Sequence, residues 1–247
     1  GKFNPEDGLS KDSNKSLTYT QVFSLWLMDA AKKNMHLCAI TPAMSDGSGL
    51  NAFAKKYPSR YYDVGIAEQH ALTFAAGLAL SGNKPVVAIY STFMQRAYDQ
   101  LIHDIAIQNI PMLFAIDRAG LVGADGATHS GNFDISFMRC IPNLILMAPS
   151  NESECFHMLS FGYKYNGVCA VRYPRGNSPG SSIELLNDPV RIGCANKVRT
   201  GKKVAILAFG PIIEVCREVA EEINASLIDM RFIKPIDKKM IRQVCKD

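Results

Sequence analysis

The stretch DVGIAEQHA (residues 63–71) runs an apolar strand tail into Glu68 and Gln69, then straight into the apolar helical pattern ALTFAAGLAL. Glu68 therefore stands at a seam between two buried elements. In a first helical turn a carboxylate is favoured by the macrodipole, which would account for an ordinary Glu there. In an apolar seam it also needs a hydrogen-bonding partner. It is placed to share a proton with a ring nitrogen of a bound heterocycle. Tyr90, Arg118 and Arg175 form a second set. One Arg at a strand end is usually a surface cation. Two Arg and a Tyr at neighbouring strand ends make a planar fork suited to an anion. The five His and seven Cys show no ligand spacing, so no metal set is expected in this sequence.

These residues need elements to position them. Helical periodicity covers 18–33, 67–82, 93–108 and 152–165, with a shorter helix around 133–139. Short apolar runs at 36–44, 60–66, 85–90, 111–117, 144–150 and 168–174 read as strands. The Gly-rich run 118–131 is a long loop. After the Pro/Gly/Ser-rich connector PRGNSPGSSIELLNDP (174–189), a second unit brings strand 202–210, helix 212–223, strand 225–232 and a helix from about Lys238. Near-continuous apolar strands separated by helices predict an α/β fold, a mostly parallel sheet with helices on both faces. The expected division is a linker or arm at 1–17, a first domain at 18–180, a connector at 181–200, and the opening of a second α/β domain at 201–247. Ligands of such sheets sit beyond the carboxyl ends of the strands. Those ends carry Met44, Glu68, Tyr90–Phe93, Asp117–Arg118 and Tyr173–Arg175.

Composition narrows the class. The chain has 247 residues, 47% hydrophobic and 20% charged, with net charge +4, which fits a globular protein with a sizeable core. The basic residues are scattered, so neither nucleic acid nor a membrane surface is an expected partner. No apolar run approaches the roughly 18 residues of a membrane span. The polar start shows no signal-peptide core. Widely spaced cysteines, mostly beside apolar residues, point to buried free thiols in a reducing compartment. A start at Gly and an end inside a helical pattern are the marks of a fragment.

DVGIAEQHA, YSTFMQRAYDQ, FAIDRAG, GADGATHSG and RYPRGN follow one another in this order. With them the chain, from about residue 18 to 247, resembles the pyrimidine-binding domain of thiamine-diphosphate enzymes of the transketolase-like superfamily. The closest likeness is to the 1-deoxy-D-xylulose-5-phosphate synthase family. The resemblance implies that Glu68 bonds N1′ of the thiamine diphosphate aminopyrimidine and that Phe93 stacks on that ring. Ile66 and Met44 would be apolar walls, and Arg96 would lie close to the cofactor. Tyr90, Arg118 and Arg175 would grip the phosphate of glyceraldehyde 3-phosphate. Asp125 and His129 would face the reacting carbons and handle protons. Mg²⁺ and the diphosphate would be held by a G-D-G…N segment in a separate domain, since GADG here lacks the following Asn. The implied activity is a transferase reaction that joins pyruvate to glyceraldehyde 3-phosphate with loss of CO2, the first step of the non-mevalonate isoprenoid pathway. The implied assembly is a homodimer in cytoplasm or a plastid-type stroma, with this chain inactive alone. Transketolase and the β subunit of a 2-oxo-acid dehydrogenase E1 are the nearest rivals. A non-catalytic interaction module with the same fold is a third, disfavoured by the intact polar rim.

Overall fold

The computed structural model describes residues 3–4, 8–9, 16–180, 182–184, 186 and 189–246. Much of the expected arm at 1–17 and part of the connector at 181–200 lie outside the described residues. Phe3–Asn4 (β1) pairs antiparallel with Gly8–Leu9 (β2).

Helix α1 (Tyr19–Lys33) opens with a capping box. The Thr18 hydroxyl accepts from Gln21 N at 3.2 Å while Gln21 Oε1 accepts from Thr18 N at 2.8 Å. Tyr19, Val22, Phe23, Trp26, Leu27 and Ala31 fall on its buried face, the 3.6-residue stripe that a surface helix turns inward. The parallel strands are β3 (Leu37–Thr41), β4 (Tyr61–Asp63), β5 (Lys84–Tyr90), β6 (Met112–Asp117), β7 (Leu144–Met147) and β8 (Val168–Arg172). A seventh strand, β12 (Phe232–Lys234), joins antiparallel to β7, and the order is β12-β7-β8-β6-β5-β3-β4. The central strands are buried along nearly their whole length, as a sheet covered on both faces demands. One face packs on α1 and α7 (Glu152–Lys164) around Trp26, Phe23 and Tyr173. The other packs on α3 (Glu68–Leu80) and the segment 91–106 around Phe114, Leu72 and Leu101. Short helices α2 (Asn51–Lys56) and α6 (Asp134–Met138) fill connections.

The second unit is a three-stranded sheet of β9 (Asn196–Arg199), β10 (Ala205–Ala208) and β11 (Ser226–Asp229), ordered β10-β11-β9. Helix α8 (Ile212–Glu222) packs on it through Ile213 and Ala220, and α9 (Lys238–Val244) follows. Among the described residues no helix is long and apolar enough to cross a membrane.

Three expectations are corrected, and two elements are added. The helix expected at 93–108 is a succession: α4 (Ser91–Met94), a 3-10 turn at Gln95–Ala97, α5 (Tyr98–Gln100) and a π-helical stretch at Leu101–Ala106. The strand expected at 225–232 is cut after Asp229, and its end leaves for the large sheet as part of β12. The cut lies at Arg231, which takes a left-handed φ of +55° and donates from Nε to Glu154 Oε1 at 3.1 Å in the interior. Helix α2 and strand β9 were not foreseen; NKVR carries no strand alternation. Lastly, only Cys38, Cys155 and Cys169 are buried, while Cys140 and Cys245 are exposed.

Candidate active site

The carboxyl ends of the parallel strands bring the rim residues together. Strand β5 ends at Tyr90, whose buried ring stacks on Phe93 with centroids 5.4 Å apart and planes 4° from parallel. Phe93 is half-buried on the first turn of α4, and His129 meets it edge-on at 5.6 Å. Strand β6 ends at Asp117, followed by Arg118 at a left-handed φ of +58°, a backbone that costs a non-glycine residue about 1–2 kcal/mol. The Arg118 guanidinium lies 4.4 Å over the Tyr90 ring, a cation–π contact. Burial pushes the Tyr90 hydroxyl up to about 12, against the lowering effect of Arg118.

The loop between Arg118 and Gly131 closes on itself through paired hydrogen bonds between Gly120 and Gly131 at 2.9 and 2.8 Å. Thr92 Oγ1 donates to Thr128 O at 3.0 Å and pins the loop to α4. Only glycine fits at 131, because a Cβ there would meet Arg118 O at 2.4 Å and Ser91 Oγ at 2.5 Å. This closure delivers Asp125 into the fork. Its carboxylate is 2.8 Å from Arg175 Nε and 3.6 Å from Arg118 Nε. The two arginines thus converge on one anionic group, and the chain's own aspartate occupies that position.

Gly47 is a second close approach. A Cβ there would meet Tyr90 Oη at 2.1 Å and Met44 Cε at 2.7 Å. Met44, from the loop after β3, and Tyr90, from β5, therefore converge over this glycine.

Glu68 begins α3 and is only 3% exposed. Its Oε2 accepts from Arg96 Nε at 2.8 Å, and Oε1 has no partner among the described residues. This bond ties the start of α3 to the 3-10 turn that follows Phe93. Arg96 itself reaches in from a side chain that is 59% exposed. Ile66, two residues before Glu68, is 80% exposed. A cavity of about 280 Å³ lined by Lys84, Tyr163 and Lys164 lies at the opposite, amino end of β5 and shares no residue with this rim.

All ten candidate residues from the sequence thus stand along one edge of the sheet. Sequence reasoning missed Thr20 and Gly47, and gave Asp117 no role. Thr20 Oγ1 donates to Asp117 Oδ2 at 2.8 Å and Gly47 O accepts from Arg118 Nη1 at 2.7 Å. The one available signal was Asp117 itself, a carboxylate closing the apolar run PMLFAI. Its burial is complete, and desolvation raises it to about 6 even against the lowering effect of Arg118.

The family model of the transketolase pyrimidine-binding domain matches residues 15–181, more than half of the chain. The chain belongs to the transketolase pyrimidine-binding domain family. The transketolase C-terminal domain model matches 193–247. Among curated proteins, the 1-deoxy-D-xylulose-5-phosphate synthase of Methylobacillus flagellatus is 59% identical over 244 residues, covering 99% of this chain and 40% of that protein. Its namesake from Yersinia pseudotuberculosis is 57% identical over 98% of this chain and 39% of its own length. The chain therefore spans about two fifths of the relatives it matches. Among solved structures, a split-gene transketolase described as an inactive beta4 tetramer superposes with TM-score 0.81 at 24% identity, over 94% of this chain and 77% of that one. A Campylobacter jejuni transketolase gives the same TM-score at 18% identity, over 98% of this chain and 40% of that one. These two show the fold.

The family implies thiamine diphosphate. The rim fits its aminopyrimidine end. A buried carboxylate with one uncommitted oxygen, a half-exposed aromatic face and a bare Ile side chain supply a hydrogen-bond acceptor, a stacking partner and an apolar wall. Among the described residues no cluster of His, Cys, Asp or Glu could hold a metal ion.

Proposed function

We propose that this chain supplies the pyrimidine half of the cofactor site and the acceptor-phosphate site of a 1-deoxy-D-xylulose-5-phosphate synthase. The full enzyme joins pyruvate to glyceraldehyde 3-phosphate, giving 1-deoxy-D-xylulose 5-phosphate and CO2. The observation that carries this is the anion fork beside the carboxylate seam: Arg118 and Arg175 converge on one carboxylate, next to the Tyr90–Phe93 stack. A phosphorylated acceptor needs such a fork, and a lipoyl acceptor does not. The 57–59% identity to proteins named as this synthase supports the same choice.

In this proposal thiamine diphosphate, when bound, supplies the electron sink for decarboxylation of a 2-oxo acid. The chain's own residues do the rest. Glu68 accepts a hydrogen bond from the aminopyrimidine through its free oxygen, while Arg96 fixes the other oxygen. Phe93, Ile66 and Met44 wall the ring and exclude water. Tyr90 carries the Arg118 guanidinium on its ring face, and Arg118 with Arg175 receives the acceptor phosphate once Asp125 leaves the fork. His129, against Phe93, moves a proton at the acceptor carbonyl. Asp125 takes part in the same proton traffic. Mg²⁺ and the diphosphate are held by a further domain or subunit, so the chain is inactive alone. Residues 18–180 form the pyrimidine-binding unit; the expected connector at 181–200 gives Asn196–Arg199 to the second unit, which with 201–247 is part of the C-terminal unit. The assembly is a homodimer and the compartment the cytoplasm.

The test uses the full-length holoenzyme with pyruvate, thiamine diphosphate and Mg²⁺. CO2 release is followed with and without glyceraldehyde 3-phosphate. Acceptor-dependent release with a five-carbon ketose phosphate product is expected. Release that ignores this acceptor but couples to a lipoyl domain would move the chain to the dehydrogenases. No release would favour the non-catalytic module.

A further inference from the structure

The Arg118 guanidinium is held by hydrogen bonds through Nη1 and makes none through Nε. Its Nη1 donates to Gly47 O at 2.7 Å, Asp117 Oδ2 at 2.9 Å and Thr20 Oγ1 at 3.2 Å. Its Nε is buried and makes no hydrogen bond, with Asp125 Oδ2 the facing anion at 3.6 Å. Asp117 is wholly buried and holds Arg118 twice, since Oδ1 also accepts from the Arg118 backbone N at 2.6 Å. That second bond pins a residue whose φ of +58° is strained. Thr20, in the first turn of α1, completes the set. Its hydroxyl donates to Asp117 Oδ2 at 2.8 Å and accepts from Arg118 Nη1, so its one proton and a lone pair are both used in the polarity the two charges require.

An apolar residue would fill the site of Asp117 at far lower desolvation cost. A buried charge retained at that cost, bonded to the backbone N and Nη1 of Arg118 and to the Thr20 hydroxyl that accepts from the same Nη1, marks an aiming device. We infer that Asp117 and Thr20 are positioning residues that turn the Arg118 Nε edge toward the acceptor phosphate, so that preference for a phosphorylated acceptor depends on two groups that never touch it. This rests on the acceptor-phosphate role proposed for Arg118.

The test compares glyceraldehyde 3-phosphate with unphosphorylated glyceraldehyde as acceptor, using the full-length holoenzyme and reading KM and kcat separately. Thr20→Val keeps the shape and deletes the hydroxyl. Asp117→Asn keeps the size, deletes the charge and turns one of the two acceptor oxygens into an amide donor. Each is expected to raise KM for the phosphorylated acceptor by about 10-fold, the order for losing a hydrogen bond to a charged group. Saturating kcat and the kinetics with glyceraldehyde should stay within about 3-fold, and Thr20→Ser should restore the wild-type KM. An unchanged KM, or an equal loss with both acceptors, would overturn the inference. If Asp117→Asn does not fold, the Thr20 pair decides. Absence of acceptor-dependent CO2 release in the unmutated enzyme would instead strike the proposed function.

Discussion

Glu68 and Asp117 are both buried carboxylates at the same rim, yet they face different tasks. Glu68 takes one bond from Arg96 and keeps Oε1 free. Replacing it by Gln keeps the size and turns an acceptor pair into an amide. CO2 release by the holoenzyme is expected to fall roughly 100- to 10,000-fold, the usual range for losing a proton-handling group, with little change in melting temperature. Asp117 is committed to protein partners, and burial lifts it from 3.8 to about 6. Between those values the folded state binds more protons than the unfolded state. Its contribution to stability is therefore full below about pH 4 and lost as pH rises through about 6. The melting temperature of the unmutated protein minus that of Asp117→Asn should grow when the pH drops from about 7 to about 5. Thermal melts of both at the two pH values check this; an unchanged difference would mean that Asp117 is not desolvated as described. At this scale the motifs were legible because Glu68, Phe93, Arg118 and Arg175 each sit where a strand ends. The hold on Arg118 was not legible, because Thr20 lies 97 residues before Asp117 in sequence.

Between α3 and β6 the chain departs furthest from its periodicity. The stripe at 93–108 promised one helix, and the residues do turn Met94, Leu101 and Ile105 inward. A stripe of that length does not distinguish α from π winding, since a return to the same face after four residues occurs in both. The π winding shows as Ile107 N bonding Ile102 O at 3.0 Å, and Ile110 N bonding Ile105 O at 3.1 Å. Its anchor is Asp104, which accepts from Thr73 Oγ1 of α3 at 2.5 Å and from His103 Nδ1 at 2.8 Å. The Thr73 hydrogen bond is the chief cause holding Asp104 below the ordinary carboxylate value, with His103 next. Thr73→Val should lower stability by about 1 kcal/mol, a drop of about 2–4 °C in melting temperature for a chain of this size. Faster amide exchange confined to 101–110 would locate the loss there. Exchange that rises evenly across the sheet would show that the bond does not anchor this segment.

Across the whole molecule, the alternation of apolar strands and helices announced a mostly parallel sheet with helices on both faces, and the architecture follows that pattern. What pattern could not show is that the run ASLIDMRF serves two sheets. Four of its residues pair as β11 in the small sheet; after Arg231 the chain crosses over and Phe232 pairs with Met147 of the large one. Arg231 is 1% exposed and bonds Glu154, itself buried at the start of α7. Breaking that pair with Glu154→Gln should cost about 3–5 kcal/mol, seen as a large fall in melting temperature. A chain ended at residue 200 would leave β7 with a bare edge, an invitation to pairing between copies. Light scattering is expected to report association of that shortened chain at concentrations where the longer one stays dispersed.

The crossing at Arg231 also sets where such proteins can be recombined. The Pro/Gly/Ser-rich connector at 174–189 looks like the natural seam for exchanging parts between relatives. A hybrid joined there would carry a foreign Phe232–Lys234 into the native edge of Leu144–Met147, and a foreign Arg231 against the native Glu154. Joints placed after Lys234 keep that strand and that ion pair of single parentage. Hybrids cut at the connector should pass only when the two parents agree at those few positions.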